Sequence, residues 1–374
     1  MDFTLVLCNT FRAAVLKKAK RIDKKQYPND NLFKFAFKQR KTMAKTSVAV
    51  VMGGYSDESV VSLKSGALIY DSLSKERYDV HRVHILKEGW FYLDSQGQRY
   101  PLNKADFSVD LPSGKTLRFD VCFNIVHGRP GENGELQAYW DTIGQRYTGC
   151  DFYQSALTFN KKDTLAVLSK YGIPAAESFY IRKGEHYDFQ VIVDTLGLPL
   201  FVKPNQSGSS LGISKVKTLE ELPEAFRVAF KEDEEILVEK FLDGMEVSVG
   251  VVDLNAEPTV IGITEIVPES EFFDYAAKYE GKSQEITPAR IDEATRCTIE
   301  QIALKAYRSL GMKGFSRSEF ILCKGIPYML EMNTNPGFSP QSILPQQARH
   351  YGISIEELCQ GQVERALEKP KPHA

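Results

Sequence analysis

Between Ser47 and Met52 the chain reads SVAVVM, an unbroken apolar run of strand length that stops at Gly53-Gly54. From Ser62 to Leu73 the apolar positions recur at helical spacing. Strand, glycine turn and helix in that order predict the opening of a doubly wound α/β unit. A strand covered on both faces has no polar side to show. Tyr78–Leu86 and Phe119–Val126 predict two more strands, the second ending at His127-Gly128, and Gly134–Ile143 predicts a helix. Ligands of such sheets bind at the carboxyl ends of the strands, where Gly53-Gly54 and His127-Gly128 both fall.

The pattern then changes. Lys161–Tyr171 is helical and stops at Gly172 and Pro174. Leu198–Lys203 and Ile236–Lys240 predict strands of a smaller domain, followed by a hinge at Leu242-Asp243-Gly244. Met245–Asp253 and Thr259–Val267 alternate apolar with polar, the mark of half-buried antiparallel strands. Phe272–Glu285 is polar, aromatic and turn-rich and reads as a long loop. Ala294–Leu310 predicts an amphipathic helix and Ile355–Leu367 a closing one. Between them lies a hairpin turning at Lys324-Gly325. The expected fold is α/β and α+β in three lobes, 43–149, 150–242 and 243–370, with a cleft between the second and third.

Composition narrows the function without naming it. A chain of 374 residues with 43% apolar and 26% charged content is ordinary for a soluble globular protein. A net charge of −2 gives no general case for binding nucleic acid or membrane, and no apolar run reaches the length of a bilayer span. The six cysteines form no CxxC pair, which fits reduced thiols in a cytoplasmic protein. Residues 1–42 stand apart: eleven Lys/Arg against three Asp/Glu give +8, and the rest of the chain is about −10 by difference. This segment is a spurious upstream extension, a disordered basic arm or a targeting segment, the first being preferred, and Met43 reads as the natural start.

Two stretches carry chemistry. In GFSRSEFILCKGIPYMLEMNTNPGFSPQSILP, the hairpin can bring Glu319, Glu331 and Asn333 together at one end. Hard oxygen ligands of this kind suit Mg²⁺ held against phosphates. In FVKPNQSGSSLG, Lys203 ends a strand and a Gly/Ser-rich loop follows, which lets backbone N–H groups approach a phosphate. A phosphate clamp and a metal hairpin in one chain point to ATP chemistry, although neither is a Walker motif.

GGYSDESVVSLKSG (53–66), HGRPGENGELQ (127–137), KPNQSGSSLGISKV (203–216), FDYAAKY (273–279), FSRSEF (315–320) and EMNTNPGFSPQSILP (331–345) occur in one order. In that order the chain resembles the D-alanine–D-alanine ligases, over about residues 45–368. The resemblance implies an ATP-grasp fold and ligation of two D-alanines through an acyl phosphate, for peptidoglycan precursors. It implies ATP with two Mg²⁺ ions (Mn²⁺ as an alternative), D-alanine as the other small-molecule substrate, and a homodimer. It assigns Lys161, Lys203, Ser207, Ser209, Ser210, Glu239, Lys240, Leu242, Glu246 and Lys278 to ATP, and Glu319, Glu331 and Asn333 to the metal. A triad of Glu58, Ser209 and Tyr279, with Glu58 receiving the first ammonium, is implied too. Arg317 and the Gly337 N–H would neutralise the tetrahedral centre. His127 would sit by the first substrate, and Ser342 and Ile343 would hold the second.

The chain departs from the family's pattern at Glu319, where Asp is usual, at Ser59-Val60, and at Asn205-Gln206, where relatives often carry a charged pair. Three other readings compete. A D-alanine–D-lactate ligase is opposed by Tyr279. Another ATP-grasp carboxylate–amine ligase would lack the Glu58 motif. A nucleotide-binding protein without catalysis is opposed by Lys203, Arg317, Glu331 and Asn333.

Overall fold

The computed structural model describes residues 45–208, 211–254, 257–268 and 283–368. Of the residues singled out above, Ser209, Ser210, Lys278 and Tyr279 lie outside the described residues, as do residues 1–42.

The first lobe is built on β1 (Thr46–Gly53), with β2 (Tyr78–Leu86), β3 (Gly89–Leu93), β4 (Arg99–Pro101), a short ribbon of β5 (Val109–Asp110) and β6 (Thr116–Leu117), and β7 (Val121–Asn124). The sheet order is β4-β3-β2-β1-β7. β1 runs parallel to β2 and β7, and β3 and β4 add an antiparallel edge. The unbroken apolar run of β1 is explained by burial on both faces. Val48, Val50 and Met52 face one core with Ile69 of α1 (Ser59–Ser72) and Leu73 just after it, whereas Ala49 and Val51 face another with Trp140 of α2 (Glu135–Thr142). The first of these cores continues into the third lobe through Phe315, Phe338 and Leu344, so the two lobes share one apolar interior.

Helices α3 (Phe152–Phe159) and α4 (Lys161–Ser169) lead into the second lobe. There an antiparallel sheet of order β10-β9-β11-β8 uses β8 (Ser178–Arg182), β9 (Leu200–Pro204), β10 (Ser214–Val216) and β11 (Glu235–Lys240). Its core lies under α5 (Phe189–Leu196) and α6 (Leu222–Glu232). Leu165 and Leu168 of α4 join the third lobe's core, so this helix bridges the two.

The third lobe holds β12 (Met245–Leu254), β13 (Glu257–Pro268), β14 (Ser283–Ile286), β15 (Phe315–Cys323) and β16 (Ile326–Asn333) in the order β14-β13-β12-β15-β16. Helices α7 (Glu293–Ser309), α8 (Ile343–Tyr351) and α9 (Ile355–Glu368) cover it. The expected loop from Phe272 to Glu285 is corrected at its end: residues from Ser283 onward form β14 against β13. Backbone pairing along the open edge of β13 outweighs their polar composition, and charged residues are typical of edge strands. The expected strands, the helices and the Lys324-Gly325 turn otherwise hold to within a few residues.

Candidate active site

The second and third sheets face each other across a cavity of about 390 Å³. Its walls include Lys161, Lys203, Ser207, Glu239, Lys240 and Leu242, together with Glu246, Glu319, Glu331 and Ile343. Ten of the sequence-derived candidates thus converge, although they come from seven elements and the segments between them. Phe201, Ile266 and Leu330 supply apolar wall that the residue pattern alone did not single out. The hinge Leu242-Asp243-Gly244 joins the two sheets directly.

The hairpin places the metal candidates by register. Glu319 stands directly opposite Glu331, and Arg317 opposite Asn333. Like charges in a cross-strand pair destabilise a sheet unless a cation answers them. Here Lys161 Nζ lies 3.1 Å from Glu331, and Arg317 Nε donates to Glu319 Oε1 at 2.6 Å. Burial pulls the Arg317 guanidinium down, but the charges of Glu319, Glu331 and Glu285 outweigh it and hold it above its ordinary value. Asn333 Oδ1 accepts from the Asn335 N–H at 2.9 Å, which fixes its amide. Among the described residues no three His, Cys, Asp or Glu side chains cluster as a metal site. Two carboxylates and one amide oxygen are the hard oxygen donors that Mg²⁺ takes alongside phosphates and water.

The lysines are held by backbone and by carboxylates. Lys203 Nζ meets Glu239 at 2.6 Å, with both side chains buried. Lys161 Nζ donates to the Ser207 carbonyl at 2.6 Å, tying the start of the glycine loop to the metal hairpin. Asn205, at a position where relatives often carry a charge, is fully buried and has a structural job. Its Oδ1 accepts from the Lys162 N–H at 2.9 Å and its amide donates to Glu235 at 3.2 Å.

Glu58 occupies the N-cap position of α1 but makes no capping hydrogen bond with its side chain. The carboxylate instead lies against two glycines. A Cβ added at Gly208 would fall 2.6 Å from Glu58 Oε1, and one at Gly128 would fall 3.0 Å from Oε2. Any side chain at either position would displace it. Glu58 thus joins the first lobe to the phosphate loop, where the ammonium of an amino acid can be received. Ser342 Oγ accepts from the Ser339 N–H at 3.0 Å, and a Cβ on Gly337 would lie 3.1 Å from it. His127 is buried at the end of β7, and burial drives its pKa down to about 4.

One acid in the site was not singled out from sequence. Glu132, inside HGRPGENGELQ, accepts the Gly128 N–H at 2.6 Å and is buried. Burial first, then the charge of Glu58, pushes its pKa up to about 8. Its signal was a carboxylate between two glycines of a motif, which the spacing alone cannot tell from a turn. The folded chain therefore keeps, between pH 4.5 and about 8, a proton that the unfolded chain releases. Stability is expected to fall as pH rises through that window. Glu132→Gln removes this contribution, so the drop in melting temperature from pH 5 to pH 8 should be smaller in the variant. Equal drops in parent and variant would refute the assignment.

Residues 47–150 match the family model described as D-ala D-ala ligase N-terminus, and residues 167–364 the one described as D-ala D-ala ligase C-terminus. The chain is 55% identical over 323 residues to a D-alanine–D-alanine ligase of Flavobacterium psychrophilum, covering 86% of this chain and 98% of the relative. It is 53% identical to one of Flavobacterium johnsoniae, covering 86% and 99%. Among solved structures, D-alanyl-alanine synthetase A of Vibrio cholerae matches with a TM-score of 0.78 at 28% identity, covering 88% of this chain and all of that one. A Bacillus anthracis D-alanine–D-alanine ligase complexed with ATP matches at TM-score 0.69 and 26% identity, covering 86% and 97%. The D-Ala:D-Ser ligase VanG of Enterococcus faecalis matches at 0.77 and 29%, covering 86% and 100%.

Proposed function

We propose a division of labour among these residues, starting from the fact that the chain belongs to the D-alanine–D-alanine ligase family and joins two D-alanines with ATP. The observation that carries the proposal is the register of the hairpin, which sets Glu319 opposite Glu331 beside the cavity lined by Lys161 and Lys203. The adenine enters between the second and third sheets, against Phe201, Leu242 and Ile266. Lys161 and Lys203 take the phosphates, and Ser207 and Gly208 begin the loop that covers them. Glu319, Glu331 and Asn333 hold Mg²⁺, which when bound neutralises phosphate charge.

Glu58 receives the ammonium of the first D-alanine. A carboxylate oxygen of that substrate attacks the γ-phosphorus, ADP departs, and an acyl phosphate forms. The neutral amine of the second D-alanine then attacks the acyl carbon, the carbon–oxygen bond to phosphate breaks, and the proton shed by the nitrogen ends on the departing phosphate. Arg317, oriented by Glu319, and the Gly337 N–H stabilise the tetrahedral oxyanion between these steps. Ser342 and Ile343 hold the second substrate. The buried thiols of Cys122 and Cys359 support a cytoplasmic enzyme. No described helix is long and apolar enough to cross a membrane. Mg²⁺ dependence and a homodimeric state are carried over from the family resemblance. Incubation with ATP, Mg²⁺, D-alanine and D-lactate together, followed by product mass, tests the reading: D-alanyl-D-alanine is expected. Its absence, or ATP hydrolysis independent of D-alanine, would overturn the proposal.

Choice of the second substrate is assigned to Tyr279. VanG, named for D-serine, shares the fold at a TM-score of 0.77, so the fold by itself leaves that choice open. Tyr279→Phe is expected to keep ATP and the first D-alanine bound while admitting D-lactate. The depsipeptide should be most evident below neutral pH, where less D-alanine is a free amine. Dipeptide alone at every pH would show that other residues set the choice.

A further inference from the structure

The segment that carries Gly337 is anchored to the first lobe by buried polar contacts. Phe338 N–H donates to Ser65 Oγ at 2.9 Å, and Ser65 is fully buried on α1. The same oxygen lies 3.2 Å from His127 Nε2. The Asn335 backbone also sits by the His127 imidazole. Asn335 Nδ2 donates to the carbonyls of Val126 and Gly131, at 3.3 and 3.2 Å. Phe338 itself is buried and stacks on Phe315 at 5.4 Å.

Ser65 Oγ accepts from Phe338, and with its second lone pair and its own proton it can accept from His127 Nε2 or donate to it, as the imidazole's tautomer dictates. Burial favours the neutral imidazole. The contacts hold the chain at Asn335 and Phe338, on either side of Gly337. They come from α1 and from the loop after β7, the same two segments that supply Glu58 and its neighbour Gly128.

We infer that Ser65 and His127 form a positioning relay that aims the Gly337 N–H, so that the lobe binding the first substrate also sets the geometry of acyl transfer. The inference rests on the reading of Gly337 as oxyanion donor. Neither residue need touch the reacting atoms for this; both act through the peptide they hold. Formation of the acyl phosphate does not use that donor, and attack by the amine does. A fault in the relay therefore separates the two halves of the reaction.

The test compares acyl phosphate, freed by denaturing the enzyme and only then trapped by hydroxylamine as D-alanine hydroxamate, with dipeptide formation. Ser65→Ala is expected to lower the dipeptide kcat roughly 10- to 100-fold, the scale of a misplaced catalytic group. Hydroxamate formation and the KM for ATP should hold, and Ser65→Thr, which keeps the hydroxyl, should recover most of the loss. Parental dipeptide turnover in Ser65→Ala, or equal loss of both products, would overturn the relay. If Ser65→Ala fails to fold by thermal melting, Ser65→Cys, which weakens the acceptor at nearly the same volume, is read by the same product ratio. Gly337→Pro, which deletes the N–H, separates the two claims. Retained dipeptide formation there defeats the oxyanion reading, whereas its loss with a normal Ser65→Ala defeats the relay alone.

Discussion

Glu331→Ala is expected to reduce ligation by about 10²-fold or more, the scale seen when a group that stabilises transition-state charge is removed. The side chain has two duties that end together. It is one of three oxygen donors on the hairpin, and it holds Lys161 at 3.1 Å. Without it, Glu319 keeps its bond to Arg317, so one carboxylate and one amide remain, too few to position Mg²⁺. The fold should survive, because the Glu331 side chain is 27% exposed and Lys161 keeps the Ser207 carbonyl as a partner. Calorimetry of Mg²⁺ binding in the presence of ATP should show the same loss as the assay. Near-parental turnover, or unaltered Mg²⁺ affinity, would remove Glu331 from the metal set.

Replacing Lys203 has a comparably large effect on turnover, but the structure alters how it must be measured. Lys203 and Glu239 are a buried pair 2.6 Å apart. Removing one member of such a pair leaves an uncompensated charge, at a cost of about 3–5 kcal/mol. Lys203→Ala is therefore expected to lose stability as well as about 10² to 10³ in rate, and the two losses would be confused. The double variant Lys203→Met with Glu239→Gln removes both charges at once. It should recover much of the melting temperature while ligation stays at the level of the single variant. Recovery of ligation along with stability would show that Lys203 serves the fold and not the phosphates.

Much of this was legible in the sequence, for reasons that can be named. SVAVVM could only be a strand buried on both faces, since no polar position interrupts it. The turn at Lys324-Gly325 predicted the hairpin that carries Glu319 and Glu331, although setting them opposite each other takes a register shift beside Glu319 that the turn does not predict. These are local rules, satisfied by residues a few positions apart. Lys203 with the glycine loop was visible for the same reason. Motif order added the family, and with it Lys161, Glu58 and Arg317, whose roles no local pattern carries.

What the sequence could not supply is whatever depends on lobes meeting. Glu132 reads as one more acid in a turn, and becomes a neutral carboxyl through the burial and the proximity of Glu58 that the assembled site imposes. Glu58 could equally have been a capping acid until Gly128 and Gly208, one from each of two lobes, closed around its carboxylate. Asn205 looked like a departure in the phosphate loop and proves to be a buried strut. Ser65 lies within GGYSDESVVSLKSG, but nothing there marked it out, because its partners His127 and Phe338 are 62 and 273 residues away. Sequence by itself determined most of the elements, the fold class, the hairpin turning at Lys324-Gly325 and the family. Tertiary structure decided which side chains are buried together, and burial sets charge state and hydrogen-bond partnership across the joints between lobes.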